Sequence, residues 1–486
     1  MSLNKLRNTG FIAVRGDDFR TLCTPRAFRD RIYELISASS RRIYITALYL
    51  QDDDGGRGIL KAIYEAKEKN PALDVKIFVD FHRAQRGLIG AKESAGNQVL
   101  YQEYESRWPG LVQIYGVPVR RYEMMGVLHL KGFVFDDTVL YSGASLNDVY
   151  LNEHGRYRMD RYQEIVSPKL ADSLVGFCQK WLIGSDAVRP LSRKPVPTAR
   201  YLGKAIRKFR HSLKSANYEF APDSISAGEV GVAPLIGFGK KNVSLNRCII
   251  RLLRSVQKKT VICTPYFNPP RAVLREINSL LQNGASIELL VGDRTASDFY
   301  IPPEEPFKKI SVLPYIYEMS LRSFMEANSA FIESGQLAVR LWKDGDNTYH
   351  VKGIFTDSGY DLATGNNLNP RAWGLDLENG ILIHDPEDLL REKFDAEIKE
   401  IEKHTTVLRS YTELEEFEKY PEEVQKFIRR IGRFKADFLL KKLIRHEKRG
   451  TVRKRKGEGC CRQQEKARSS ARGSISCRGG KACRWA

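Results

Sequence analysis

One string of residues occurs twice in this chain, some 220 residues apart, and both copies have the same internal spacing. The first is His129-Leu130-Lys131-Gly132-Phe133-Val134-Phe135-Asp136 and the second is His350-Val351-Lys352-Gly353-Ile354-Phe355-Thr356-Asp357. Each is followed by a small-residue turn ending in Asn, Gly143-Ala144-Ser145-Leu146-Asn147 and Gly365-Asn366-Asn367-Leu368-Asn369. The flanking pattern repeats as well. A β-rich run over 41–50, a helical stretch from Gly58 to Lys69 and a second apolar run over 74–80 match a run over 258–267, a helix from Arg271 to Gln282 and a strand over 286–291. Strands rich in β-branched residues that alternate with amphipathic helices predict an α/β layered fold. A unit of this length exceeds any solenoid repeat, so the chain reads as a duplicated domain.

The duplication sets the expected organisation. Residues 1–184 form a first half, 185–242 (rich in Pro, Ser, Lys and Gly) a connection, and 243–400 a second half. Residues 401–449 read as a charged helical region, and 450–486 as a disordered basic tail, poor in large apolar residues.

On a strand, residues two apart share a face, so each His points the same way as its Lys. That pairing suits a phosphate: the ammonium neutralises phosphoryl oxygens while the imidazole attacks phosphorus or moves a proton. The two complete triplets make His129, Lys131, Asp136, His350, Lys352 and Asp357 the expected catalytic residues. Asn147 and Asn369, each four residues after a Gly, are expected to donate amide hydrogen bonds to a phosphoryl oxygen. Glu378, 28 residues beyond His350, is placed to orient an imidazole from behind. Arg83 and Arg86 follow the run ending at Asp80, where ligand loops of α/β sheets lie, and are read as a grip on a pyrophosphate. Tyr49 and Tyr266 occupy equivalent places and are read as packing residues. The remaining six histidines have no matching partner.

Charge separates the body from its end. Formal net charge is +20, and residues 421–486 hold 21 Lys and Arg against six Asp and Glu. Over 421–449, Val424, Phe427, Ile428, Ile431, Phe434 and Phe438 recur every three or four residues among basic ones, the pattern of a helix lying on an anionic membrane surface. No apolar run reaches membrane-spanning length, and Met1 to Lys5 has no leader-like pattern, so a cytoplasmic protein peripheral to the inner face of the cell membrane is expected. The near-neutral body, with no basic stripe interleaved with aromatics, weighs against nucleic acid as partner. Cys23, Cys178, Cys248 and Cys263 read as buried thiols, and the four tail cysteines fit no common zinc spacing.

The paired His-x-Lys-x4-Asp triplets resemble the signature of the phospholipase D superfamily. The longer strings from Gly126 to Asp137 and from Thr364 to Trp373 resemble, more narrowly, the phosphatidylserine synthases of Gram-negative bacteria. The resemblance runs from about residue 10 to about residue 445. It implies a duplicated phospholipase D-like α/β/α sandwich whose halves pack about a pseudo-twofold axis, with a helical basic C-terminal segment. It further implies two histidines facing one phosphate, CDP-diacylglycerol and L-serine as substrates, and a phosphatidyl-histidine intermediate with CMP leaving. Family habit makes His129 the nucleophile. No metal or cofactor is expected, since no carboxylate cluster of the kind Mg²⁺ requires is evident. The Ser usual after the turn glycine is Ala144 in one half and Asn366 in the other, and Gly374 stands where a larger residue is expected. The alternatives are a superfamily phosphodiesterase or nuclease, a cardiolipin synthase, and a catalytically dead lipid-binding adaptor.

Overall fold

The computed structural model describes residues 6–86, 96–240 and 243–430. Residues up to Tyr420 form one compact unit built on two large sheets, and Pro421 opens a second unit.

The sheets share one plan. In the first half the parallel trio Arg42–Thr46, Asp74–Asp80 and Gln113–Val117 continues, from its first member, into the antiparallel series Gly132–Phe135, Thr138–Ser142, Tyr162–Val166 and Phe19–Leu22. In the second half the trio Lys259–Thr264, Ser286–Gly292 and Leu337–Trp342 continues into Gly353–Thr356, Tyr360–Thr364, Leu377–His384 and Glu229–Gly237. The duplicated α/β reading is therefore met, and the helices Asp54–Lys69 and Arg271–Gln282 fall where the periodicity puts them.

Local chemistry accounts for these elements. Asp53 caps the helix Asp54–Lys69 by accepting from the Gly56 N–H, while Ile59, Leu60, Ile63 and Tyr64 turn one buried face inward at helical spacing. The strand Asp74–Asp80 buries Val75, Ile77, Phe78 and Val79 between layers, as expected for parallel strands covered on both faces. In the first core Phe28 stacks on Tyr162 with ring centroids 4.5 Å apart. The second core gathers Ile262, Leu289, Ile354 and Leu382.

Two stretches differ from their sequence reading. The segment 185–242 is more than a connection: it contains the helix Gly203–Ser212 and the nine-residue strand Glu229–Gly237, which runs between Ile12–Arg15 and Leu377–His384. The first strand of the chain thus belongs to the second half's sheet. Pro and Gly density misleads here because Pro234 and Gly237 sit within a buried strand. The region past 400 also carries a strand, Thr405–Leu408, on the edge beside Leu337–Trp342. In the second unit residues 422–430 are helical, and the Gln425 N–H donates to the Pro421 carbonyl at 3.0 Å, as Pro in a first turn allows. The rest of the basic amphipathic stretch, and the tail 450–486, lie outside the described residues.

A buried ion pair ties the halves. Arg161, beside the strand Tyr162–Val166, makes a two-pronged contact with Glu397 of the helix Arg391–Glu402, at 2.8 and 2.9 Å. Gln163 adds a third donor to the same carboxylate, and the guanidinium lies 4.1 Å from the Phe355 ring centroid.

Candidate active site

Two short strands cross between the halves. Leu128–His129, from the first half, pairs in parallel with Leu377–His384 of the second sheet, and the register sets His129 beside Glu378. Thr348–Tyr349, from the second half, pairs in parallel with Arg158–Met159 of the first. The His350 N–H, donating to the Met159 carbonyl at 2.8 Å, carries that register one residue on, so His350 meets Asp160. Each imidazole is thereby backed by a carboxylate from the opposite half. His129 Nδ1 lies 2.8 Å from Glu378 Oε2, and His350 Nδ1 lies 3.1 Å from Asp160 Oδ2. With Nδ1 occupied on both rings, Nε2 is the nitrogen left for a ligand.

The lysines reach across in the same way. Lys352 Nζ sits 2.8 Å from Asp160 Oδ2 and 2.6 Å from His350 Nδ1. A Cβ on Gly143 would stand 2.3 Å from that nitrogen, so only glycine leaves room for the opposing lysine. Gly365 does the same for Lys131, whose Cγ would lie 2.8 Å from an added Cβ. The two ammonium groups are otherwise unlike. Lys131 Nζ has only the Ala144 carbonyl and the Ser145 hydroxyl, both at 3.3 Å, and among the described residues no carboxylate forms an ion pair with it.

Burial governs the electrostatics. His129, Lys131, Asp160, His350, Lys352 and Glu378 are all buried, and Lys352 and Glu378 fully so. Desolvation, helped by Lys131 and Lys352, holds His129 well below the ordinary imidazole range. Burial and Lys352 bring His350 down to about 4, against the pull of Asp160. Both rings are therefore neutral at pH 7. Burial and the neighbouring Lys352 push Lys131 down to about 7, whereas Glu378 is raised by burial and by Asp376. Burial would raise Asp160 as well, but Lys352 and His350 outweigh it and keep it ionised. Two neutral imidazoles, two lysines and a buried donor, Asn366 Nδ2, without a partner among the described residues, suit a phosphoryl group that changes charge as it reacts.

Comparison with known proteins agrees with this geometry. A family described as "Cardiolipin synthase, PLD-like domain" matches residues 249–401. The CDP-diacylglycerol–serine O-phosphatidyltransferase of Haemophilus influenzae is 48% identical over 445 residues, covering 90% of this chain and 97% of that protein. Its Escherichia coli counterpart is 46% identical over 429 residues, covering 88% and 95%. The crystal structure of the Haemophilus influenzae phosphatidylserine synthase aligns with a TM-score of 0.85 at 47% identity, over 90% of this chain and 98% of that one. The chain belongs to the CDP-diacylglycerol–serine O-phosphatidyltransferase family.

Within this phosphatidyltransferase frame the residues singled out by sequence separate into groups. His129, Lys131, His350, Lys352 and Glu378 come together as described. Asn147 and Asn369 are buried helix caps: Oδ1 of Asn147 accepts from the Tyr150 N–H, and Oδ1 of Asn369 from those of Arg371 and Ala372. Asp136 and Asp357 are elsewhere. They lie past the far ends of the strands Gly132–Phe135 and Gly353–Thr356, five residues and roughly 16 Å of extended chain from the lysines. Asp136 accepts from the Ser40, Arg41 and Arg42 N–H groups and from the Ser40 hydroxyl. Asp357 accepts from the N–H groups of Gln257, Lys258 and Lys259. Both fasten the start of the central strand, so their shared spacing records the fold. Arg86 is held two-pronged by Glu123. Arg83, with no acidic partner in ion-pair range among the described residues, lies 4.9 Å from the Tyr49 ring centroid.

Sequence reasoning missed Asp160 and Tyr150. Asp160 stands 31 residues after His129, close to the 28 that separate Glu378 from His350, and that near-equality was the available signal. Tyr150, whose hydroxyl is 2.9 Å from His350 Nδ1, left none.

Two measurements follow. Asp136→Asn should lower the unfolding free energy by about 1–3 kcal/mol in urea titrations, while kcat of the folded enzyme stays within about twofold. Burial disfavours the Asp136 charge, yet its four donors hold the carboxyl below its ordinary value, so this contribution is complete above the ordinary carboxyl range and disappears as pH falls through the lowered one. For Lys131, an anion in the centre restores the charged form. Binding of sulfate, which does not itself titrate, should take up close to one proton at pH 8 and almost none at pH 6, read by calorimetry in buffers of different ionisation enthalpy.

Proposed function

We propose that this chain transfers the phosphatidyl group of CDP-diacylglycerol to L-serine, releasing CMP, through a phosphatidyl-histidine at His129. The observation that carries the reading is the crossed pair of neutral imidazoles, each backed by a carboxylate of the other half, with two lysines beside them. Nε2 of His129 attacks the phosphatidyl phosphorus, and the bond from that phosphorus to the CMP oxygen breaks. The leaving group is a phosphate monoester whose second pKa is about 6, so it departs as an anion and needs no proton. His350, lowered to about 4, is then already in the form that accepts the serine hydroxyl proton as that oxygen attacks. The P–N bond breaks and restores neutral His129. Lys131, Lys352, Asn366 and the amides of Asn147 and Asn369 hold the non-bridging oxygens throughout, without a metal in any step.

A second reading concerns where the lipid comes from. The turn Glu123–Met125, which leads straight into Leu128–His129, exposes Tyr122, Met124 and Met125 next to Arg120 and Arg121, with Met124 at 76% of its full exposure. Apolar side chains displayed beside arginines suit the headgroup layer of an anionic bilayer, and 421–449 is the second basic element we assign to that surface. Both support a place for the enzyme on the inner face of the cell membrane. Among the described residues no helix is long and apolar enough to cross it.

Labelled CMP should exchange into CDP-diacylglycerol with serine absent, and the overall reaction should retain configuration at phosphorus, because two in-line displacements occur. His129→Ala should abolish exchange and turnover together. Inversion, or exchange that depends on serine, would eliminate the intermediate. For the membrane reading, the double substitution Met124→Asp/Met125→Asp should weaken binding to vesicles containing anionic phospholipid by about tenfold or more, with a further loss on raising salt. Removal of residues 421–486 should act in the same direction.

A further inference from the structure

The ribbon that seats His350 beside Asp160 carries a second row of side chains. Arg158 stands opposite Thr348 in the parallel register, two residues before Asp160 and His350, and so on the same face. Its Nε donates to the Thr348 hydroxyl at 2.9 Å, and its guanidinium carbon lies 4.9 Å from the Tyr150 ring centroid. Tyr150 is the residue whose hydroxyl reaches His350 Nδ1. Facing Arg158 from the second half is Asp298, just past the turn Arg294–Ala296. Their nearest atoms are 3.7 Å apart, beyond hydrogen-bond range.

The surroundings make this gap informative. The Tyr266 hydroxyl donates to the other face of the pair, Asp298 Oδ1, and the Tyr266 ring is stacked by Tyr317 at 5.0 Å. Tyr49, its counterpart in the first half, lies in the field of both Arg158 and Asp298. The side chains of Arg158 and Asp298 are 13% and 23% exposed, largely withdrawn from water but not sealed from it. Opposite charges so placed ordinarily close to contact, since neither is well solvated. Here the ion pair at 3.7 Å lacks a hydrogen bond, and each partner hydrogen-bonds a hydroxyl instead, Thr348 for Arg158 and Tyr266 for Asp298. The matching place in the other half, two residues before Glu378, is Asp376, which is already taken up by the Val127 N–H and by Arg371. The open pair therefore exists on the His350 side alone.

We propose that Arg158 and Asp298 form the acceptor subsite, binding the α-carboxylate and α-ammonium of L-serine and presenting its hydroxyl to His350. The proposal rests on the phosphatidyl-transfer reading and supplies its selectivity. An α-amino acid is a zwitterion with both charges on one carbon, and the split pair offers a cation and an anion at matching separation. Water and glycerol satisfy neither group, ethanolamine lacks the carboxylate, and 3-hydroxypropionate lacks the ammonium. An acceptor missing either charge leaves a buried partner uncompensated, which is where large discrimination comes from.

The test uses the full chain with CDP-diacylglycerol in mixed micelles and rates measured against L-serine, ethanolamine and 3-hydroxypropionate. Arg158→Gln and Asp298→Asn should each raise KM for serine by about 30-fold or more, the effect of truncating one buried charged partner, with KM for CDP-diacylglycerol moving less than about threefold. Selectivity should then collapse crosswise. Arg158→Gln loses the preference for serine over ethanolamine, and Asp298→Asn the preference over 3-hydroxypropionate, a pattern general distortion cannot produce. Asp298→Asn keeps the side-chain shape and decides the matter alone if Arg158→Gln fails to fold. Equal rises in both KM values, or unmoved preferences, would overturn the subsite while leaving phosphatidyl transfer intact. Absence of phosphatidylserine with the unaltered enzyme would instead sink the transfer reading.

Discussion

The hydrogen bonds His129–Glu378 and His350–Asp160 join the two halves at the candidate active site, and the rest of the molecule is arranged around them. Neither His129 nor His350 takes the carboxylate that backs its ring from its own half. The crossed parallel strands enforce this by register, because a one-residue slip would turn each His away from its carboxylate. The Arg161–Glu397 pair and the Asn379 side chain, which grips both the N–H and the carbonyl of Lys131, hold the same junction from either side. Asn379 is itself fixed by the Tyr218 hydroxyl and covered by that of Tyr141. Packing at this seam thus sets the positions of the reacting atoms as directly as the motif residues do.

Concentrating so many ionisable groups in a dry centre has a definite electrostatic result. Isolated ammonium groups are costly to bury, and Lys352 is made tolerable by Asp160, whereas Lys131 is left short of negative charge. The centre is consequently suited to an anion.

The sequence was most readable where a single periodicity decides the element. Parallel strands such as Asp74–Asp80 are continuous apolar runs, and the helix Arg271–Gln282 has one clean stripe, so both could be bounded closely. The triplets were legible as a duplicated motif, but spacing does not separate chemistry from scaffolding: His129 and Lys131 face the centre while Asp136, at the same fidelity of repeat, fastens the Ser40–Arg42 backbone. Asp160 escaped notice because its imidazole belongs to the other half, 190 residues away, a relation that no local pattern encodes. The partner of Arg86 was unreadable for a similar reason, since Glu123 comes from a separate loop. Glu229–Gly237 was hidden by its Pro and Gly, which a buried strand tolerates only when its neighbours on both sides are already in place.

The crossed strands amount to a domain-swapped dimer whose two subunits have been sewn into one polypeptide. In a true homodimer every substitution appears on both sides of the axis, so the two ends of the active centre must remain chemically identical. Covalent tethering removes that obligation. The pairs Ala144 and Asn366, Ser145 and Asn367, and Arg158 and Asp376 are positions where the two copies now carry different chemistry at equivalent places. A reaction with distinct donor and acceptor sides requires such inequality, and the fused chain is what permits one ancestral surface to be specialised twice.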